Sequence, residues 1–172
     1  MYDVTEGNLQ QGHDLTTNLM NNVTFTRKLK NIVAYAKEHN QHGALLYIDI
    51  ANFHVIINKY GFDFGGRILY KVSRILLEFI STKDDIARFP YDKFMILLNN
   101  ITGLPEVELT AKAISTLFEE PLIINGEQIY LNINIGITLF PEASSDVEEL
   151  IRFSAFTINH ARQTGNDAAV YF

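Results

Sequence analysis

The chain has 172 residues, with 14 Lys and Arg against 20 Asp and Glu for a net charge of −6, and it contains no cysteine. Lacking cysteine, it has no disulfide or thiolate metal site, and a reducing cytoplasm is the expected compartment. The basic residues are scattered, which excludes nucleic acid as a partner, and no apolar run approaches a membrane span, so no direct membrane contact is expected.

Met1 to His13 is polar and aperiodic and reads as a lead-in or linker, leaving 14–172 as one domain. From Leu19 to His39 the apolar positions Val23, Leu29, Ile32, Val33 and Ala36 recur at helical spacing, and Asn40 to Gly43 supplies a stop. Ala44 to Ile50 is a continuous apolar run, as expected of a strand buried on both faces. Phe64 to Ile80 predicts an amphipathic helix after a turn at Gly61. Ile86 to Phe89 and Phe94 to Asn99 predict two short strands joined by a tight hairpin containing Pro90. Glu106 to Glu119 predicts a further helix. Leu122 to Ile124 and Gln128 to Tyr130 flank Asn125-Gly126, a strong hairpin signal. Leu131 to Phe140 predicts a strand with Ile133, Ile135 and Ile137 on one face. Ser144-Ser145-Asp146, followed by Glu148 and Glu149, predicts a capped helix running to about Gln163, and Ala169 to Phe172 a last strand. Alternating strands and helices with a few hairpins predict an α/β (α+β) fold, a mostly antiparallel mixed sheet flanked by helices.

Several strings together resemble the GGDEF family of diguanylate cyclases. Asp14-Leu15-Thr16-Thr17-Asn18-Leu19-Met20-Asn21-Asn22-Val23-Thr24-Phe25 is similar to the family's entry motif Asp-x-Leu-Thr-Gly-Leu-Pro-Asn-Arg-x-x-Phe, without its Gly, Pro and Arg. Asp49-Ile50-Ala51-Asn52-Phe53 is similar to the Asp-x-Asp-x-Phe metal strand. Tyr60-Gly61 with Gly65, and Ile135-Gly136-Ile137 with Phe140-Pro141-Glu142, match later segments. The resemblance implies a ferredoxin-like core shared with nucleotide cyclases and polymerase palms.

Joining two GTP molecules into cyclic di-GMP needs a divalent ion, a guanine clamp and activation of a ribose hydroxyl. The resemblance assigns the metal, Mg²⁺, to Asp49, the Ile50 carbonyl and Asp92. On the residues alone, Asp49 capping the next segment and Asp92 serving a turn are equally open. It assigns vestigial nucleotide contacts to Phe53, Asp92 and Arg162, and the guanine clamp to the positions of Ile57 and Gly66, neither of which can pair with the base. The signature hairpin Gly-Gly-Asp/Glu-Glu-Phe corresponds to Pro90, Tyr91, Asp92, Lys93 and Phe94. There Pro90 fixes φ and removes an N–H, Tyr91 places a ring where glycine would stand, and Lys93 replaces an acid with a cation. Of a Lys and Arg on the last helix, Arg162 and Asn166 stand in place. Arg162 serves either phosphate or its own helix C-terminus. His54, where the family has Lys, is read as a surface residue. The product-site Arg-x-x-Asp maps onto Ser81-Thr82-Lys83-Asp84, where the Arg is missing and Asp84 is expected to face solvent.

The expectation is therefore a catalytically inactive GGDEF-like regulatory domain, monomeric when isolated, acting on other domains of a parent protein such as an EAL phosphodiesterase or a sensor. The alternatives are a module that senses Mg-GTP, held weakly, to regulate a neighbouring EAL domain, and, in third place, an active diguanylate cyclase.

Overall fold

The computed structural model describes residues 12–164 and 168–171, with side chains through His160. In chain order the elements are β1 (Met20–Asn21), α1 (Asn22–His39), β2 (Gly43–Ile50), α2 (Phe53–Tyr60), α3 (Phe62–Phe79), β3 (Asp85–Phe89), β4 (Lys93–Leu98), α4 (Leu104–Thr116), β5 (Leu122–Ile124), β6 (Glu127–Ile129), β7 (Ile133–Phe140), α5 (Val147–Thr164) and β8 (Ala168–Tyr171). Six strands form one sheet in the order β1-β3-β4-β2-β7-β8, and β5 with β6 forms a separate hairpin. The ladders β3·β4, β4·β2 and β2·β7 are antiparallel, whereas β1·β3 and β7·β8 are parallel.

β2 lies at the centre, and all eight of its residues are buried. Its alternation divides the core in two. Ala44, Leu46, Ile48 and Ile50 face a cluster shared with Phe53 of α2, Phe64, Ile68 and Val72 of α3, and Val107 and Ala111 of α4. Leu45 and Tyr47 face the opposite cluster, with Phe25, Leu29 and Val33 of α1 and Val147, Leu150 and Ile158 of α5. Ile133, Ile135 and Ile137 share the first face, as their alternation predicted. Gly136 between them lets α5 approach, since a Cβ there would collide with the Ser154 carbonyl oxygen and Thr157 Oγ1.

Several elements depart from the sequence reading, among them α4, which runs Leu104–Thr116 where Glu106 to Glu119 was expected. Leu19 does not begin α1: residues 20–21 form β1, and the Asn21 side chain caps α1 by accepting from the Thr24 N–H at 2.9 Å. Phe53–Tyr60 is a helix that the reading left unassigned; it follows Asn52, which sits at φ 56°. Leu131 lies outside β7, which begins at Ile133, and β6 starts one residue earlier than expected. At the chain's start, Met1–Gln11 lies outside the described residues.

The entry motif makes a compact turn ahead of β1. Asp14 Oδ1 accepts from the Thr17 N–H at 2.8 Å and its hydroxyl at 2.7 Å. Asn18 takes φ 58° where the family motif has glycine, a conformation asparagine tolerates better than other side chains.

Candidate functional site

Sheet register builds the floor of the site. In the ladders, β2 residue Asp49 sits opposite Lys93 of β4 on one side and Asn134 of β7 on the other. Directly paired residues share a face, so the three polar side chains form a row across the end of an otherwise apolar sheet. Asp49 is fully buried. Lys93 Nζ lies 3.3 Å from Asp49 Oδ1 and 2.8 Å from Asp92 Oδ1, and Asn134 Nδ2 donates to Asp49 Oδ2 at 3.3 Å. Burial opposes the charge on Lys93, but the hydrogen bond and charge of Asp92, reinforced by Asp49, outweigh it and hold the ammonium above the usual lysine range.

The β3–β4 turn stands over this floor. Tyr91, at its tip, adopts φ 67° and is 86% exposed. The turn is pinned by Arg88, a buried residue of β3. Its Nη1 donates to the carbonyls of Phe89 and Lys93, the latter at 3.0 Å, and its Nη2 to the carbonyl of Tyr91. The guanidinium also lies over the ring of Phe94, its cross-strand partner, at 5.1 Å. Burial pulls its pKa below the ordinary arginine value, against the charges of Asp14 and Asp92. A backbone bond from the Ile50 N–H to the Asp92 carbonyl, at 3.3 Å, ties the turn to the end of β2.

Beside the turn, α2 and α3 enclose a cavity of about 510 Å³ lined by Phe53, Ile57, Phe62, Gly65, Gly66 and Leu69, with Thr16, His54, Asn58, Tyr91 and Asp92 also on its wall. The structure thus brings Phe53, Ile57, Gly66, Tyr91 and Asp92 to one cavity. Ile57 packs onto Gly65, whose missing Cβ leaves room for the Ile57 methyl. At Gly66 a Cβ would meet nothing closer than Thr16 Cγ2 at 3.9 Å, so crowding does not explain the missing side chain. His54 is exposed, as read, and also reaches the cavity. Arg162 lies in α5 but its side chain is beyond those described, and Asn166 lies outside the described residues.

Two details alter the sequence reading. Asp84 is half-buried and accepts from the Asn99 N–H at 2.9 Å, and burial raises its pKa, so it braces the turn before β3 instead of facing solvent. Arg88 and Asn134 were not singled out, although a charged residue inside the apolar string Ile86-Ala87-Arg88-Phe89 was a visible signal.

Mg²⁺ is the ion the resemblance implies. Its two carboxylates are already bridged by the Lys93 ammonium. With that ammonium between them the two carboxylates already have a counter-charge, and a divalent ion there would sit against a fixed like charge.

Residues 11–168 match the family described as diguanylate cyclase, GGDEF domain. The chain belongs to the GGDEF family. Its fold matches the solved GGDEF domain of TpbB (YfiN) from Pseudomonas aeruginosa with a TM-score of 0.87 at 24% identity, covering 92% of this chain and 93% of that one. The FimX GGDEF domain of the same organism matches at 0.85 and 18%, covering 94% and 99%. Among curated relatives, the diguanylate cyclase DosC of Escherichia coli is 28% identical over 91% of this chain and 34% of its own length. The cyclic di-GMP phosphodiesterase PdeR of E. coli is 29% identical over 80% and 21%, and the phosphodiesterase NbdA of P. aeruginosa 22% over 93% and 20%. This GGDEF domain therefore spans between a fifth and about a third of the length of these relatives, which are named for both making and degrading cyclic di-GMP. No helix among the described residues is long and apolar enough to cross a membrane.

Proposed function

We propose that this GGDEF domain has lost diguanylate cyclase activity and regulates other domains of its parent protein through direct contacts. The observation that carries the reading is the cavity wall at Ile57 and Gly66, the two positions assigned to guanine. A methyl group and a bare backbone face the space where the base's polar edge would need partners. Each buried donor or acceptor left unpaired costs about 1–3 kcal/mol, so guanine gains little here over adenine. The turn adds support. Pro90 and Tyr91 occupy the positions of two glycines, and Lys93 that of a carboxylate, so close backbone approach to a triphosphate and a carboxylate at the reacting hydroxyl are both missing. Contact with neighbouring domains is supported by the small share of each relative that the chain spans, and by Phe62 and Tyr91, both largely exposed at the cavity's rim.

A second reading, a nucleotide-sensing module, is favoured by one observation: the cavity persists, with Phe53 and Asp92 still on its wall. Calorimetric titration of the domain with GTP and ATP, each with Mg²⁺, separates the two. The regulatory reading expects no heat, or equal weak binding of both, at millimolar nucleotide. A GTP affinity tenfold above that for ATP overturns it, and no binding at all removes the sensing alternative.

A further inference from the structure

We propose that the Lys93 ammonium is a built-in replacement for a divalent cation, joining Asp49 to Asp92 so that this end of the sheet is complete without metal. Three observations converge on it. Asp49 is fully buried, and a buried carboxylate persists in a fold only with a counter-charge or with donors at its oxygens. The register fixes Lys93 directly opposite Asp49, so the counter-charge is delivered by the neighbouring strand and not by a long side chain wandering in from the surface. The same ammonium reaches Asp92 at 2.8 Å, while Asn134 donates to the other oxygen of Asp49.

A divalent ion at these carboxylates would face a like charge tethered through its own backbone, one that cannot diffuse away. Lys93 thereby gives the turn the strut that a bound ion supplies, and makes its position independent of cation supply. The raised lysine pKa agrees with an ammonium held by two acids. The inference uses the same turn as the proposed loss of cyclase activity, but it is read by cation binding and not by turnover. Saturable cation binding at these carboxylates without any cyclic di-GMP would refute this inference alone, whereas formation of cyclic di-GMP, which needs a divalent ion, would refute both.

The test uses Mn²⁺ as probe on the domain, following calorimetry and the paramagnetic broadening of backbone amides. In the unmodified protein, millimolar Mn²⁺ is expected to leave the amides of Asp49, Ile50, Asp92 and Lys93 no broader than those of distant surface residues. Lys93→Met is expected to melt earlier in metal-free buffer, to recover on adding Mn²⁺, and to bind one ion at least about tenfold more tightly than the parent, a gain that Asp49→Asn in the same background removes. Saturable broadening around Asp49 and Asp92 in the unmodified protein overturns the proposal, as does a folded Lys93→Met with unchanged Mn²⁺ affinity. Lys93→Gln serves if the methionine variant does not fold, and if neither folds, the broadening experiment decides alone.

Discussion

Replacing Arg88 with methionine should loosen the β3–β4 turn while leaving the sheet beneath it folded. The methionine keeps most of the apolar stem against Phe94 but removes the bonds to the carbonyls of Phe89, Tyr91 and Lys93. A hydrogen bond from a charged donor contributes about 1.5–3 kcal/mol, so three nominally exceed about 4 kcal/mol. Two effects reduce that sum. Tyr91 is exposed, so water can replace guanidinium at the tip, and removing a buried cation also removes the cost of desolvating it, which is what lowers the Arg88 pKa. A net loss of about 2–3 kcal/mol remains, which for a chain of this length lowers Tm by roughly 4–12 °C. Urea denaturation should show an earlier midpoint with an unchanged slope, and amide exchange at Tyr91 and Asp92 should accelerate more than exchange in β2. A loss under about 1 kcal/mol with unaltered exchange at the tip would refute the pinning role.

Tyr91→Gly should stabilise the fold by up to about 1 kcal/mol, because φ 67° suits glycine, although glycine's freer unfolded chain offsets part of the gain; a lower urea midpoint would contradict this. Gly136→Ala should cost about 2–3 kcal/mol or more, since its methyl meets the carbonyl of Ser154 and the hydroxyl of Thr157; thermal melting within about 2 °C of the parent would show that α5 can move aside. Glu106 accepts from both the N–H and the hydroxyl of Thr102 at 2.7 Å, and these bonds hold its pKa below the ordinary 4.5. Its folded pKa is depressed, so its contribution is present above pH 4.5 and is lost as pH falls through the folded value. The stability gap to Glu106→Gln should therefore be widest near neutral pH and close in acid, and a gap independent of pH would contradict the assignment.

Much of the fold was legible because its strongest signals are local. The unbroken apolar run of β2 announced a strand covered on both faces, and Asn125-Gly126 announced a hairpin whose two residues adopt φ 54° and 86°. Asp146 caps α5 as the pattern suggested, its Oδ1 accepting from the Glu149 N–H at 2.9 Å, while Ser144 Oγ accepts from the Asp146 N–H just ahead of the helix. Helix α2 was missed because eight residues with only Phe53 buried carry too little period to separate from a loop. The candidate site was legible as a set of positions but not as an arrangement. Lys93 beside Asp92 was visible in the string itself, whereas its pairing with Asp49 depends on a ladder register between segments more than forty residues apart. Asp84 was misjudged for a related reason: its partner, the Asn99 N–H, lies on the far side of the same hairpin.

The central claim, that this GGDEF domain no longer makes cyclic di-GMP, is tested most directly by incubating the protein, alone and within its parent, with GTP and Mg²⁺ and separating the nucleotides by chromatography. The account predicts no cyclic di-GMP above a protein-free control at any protein concentration. Product that accumulates in proportion to the protein would contradict it.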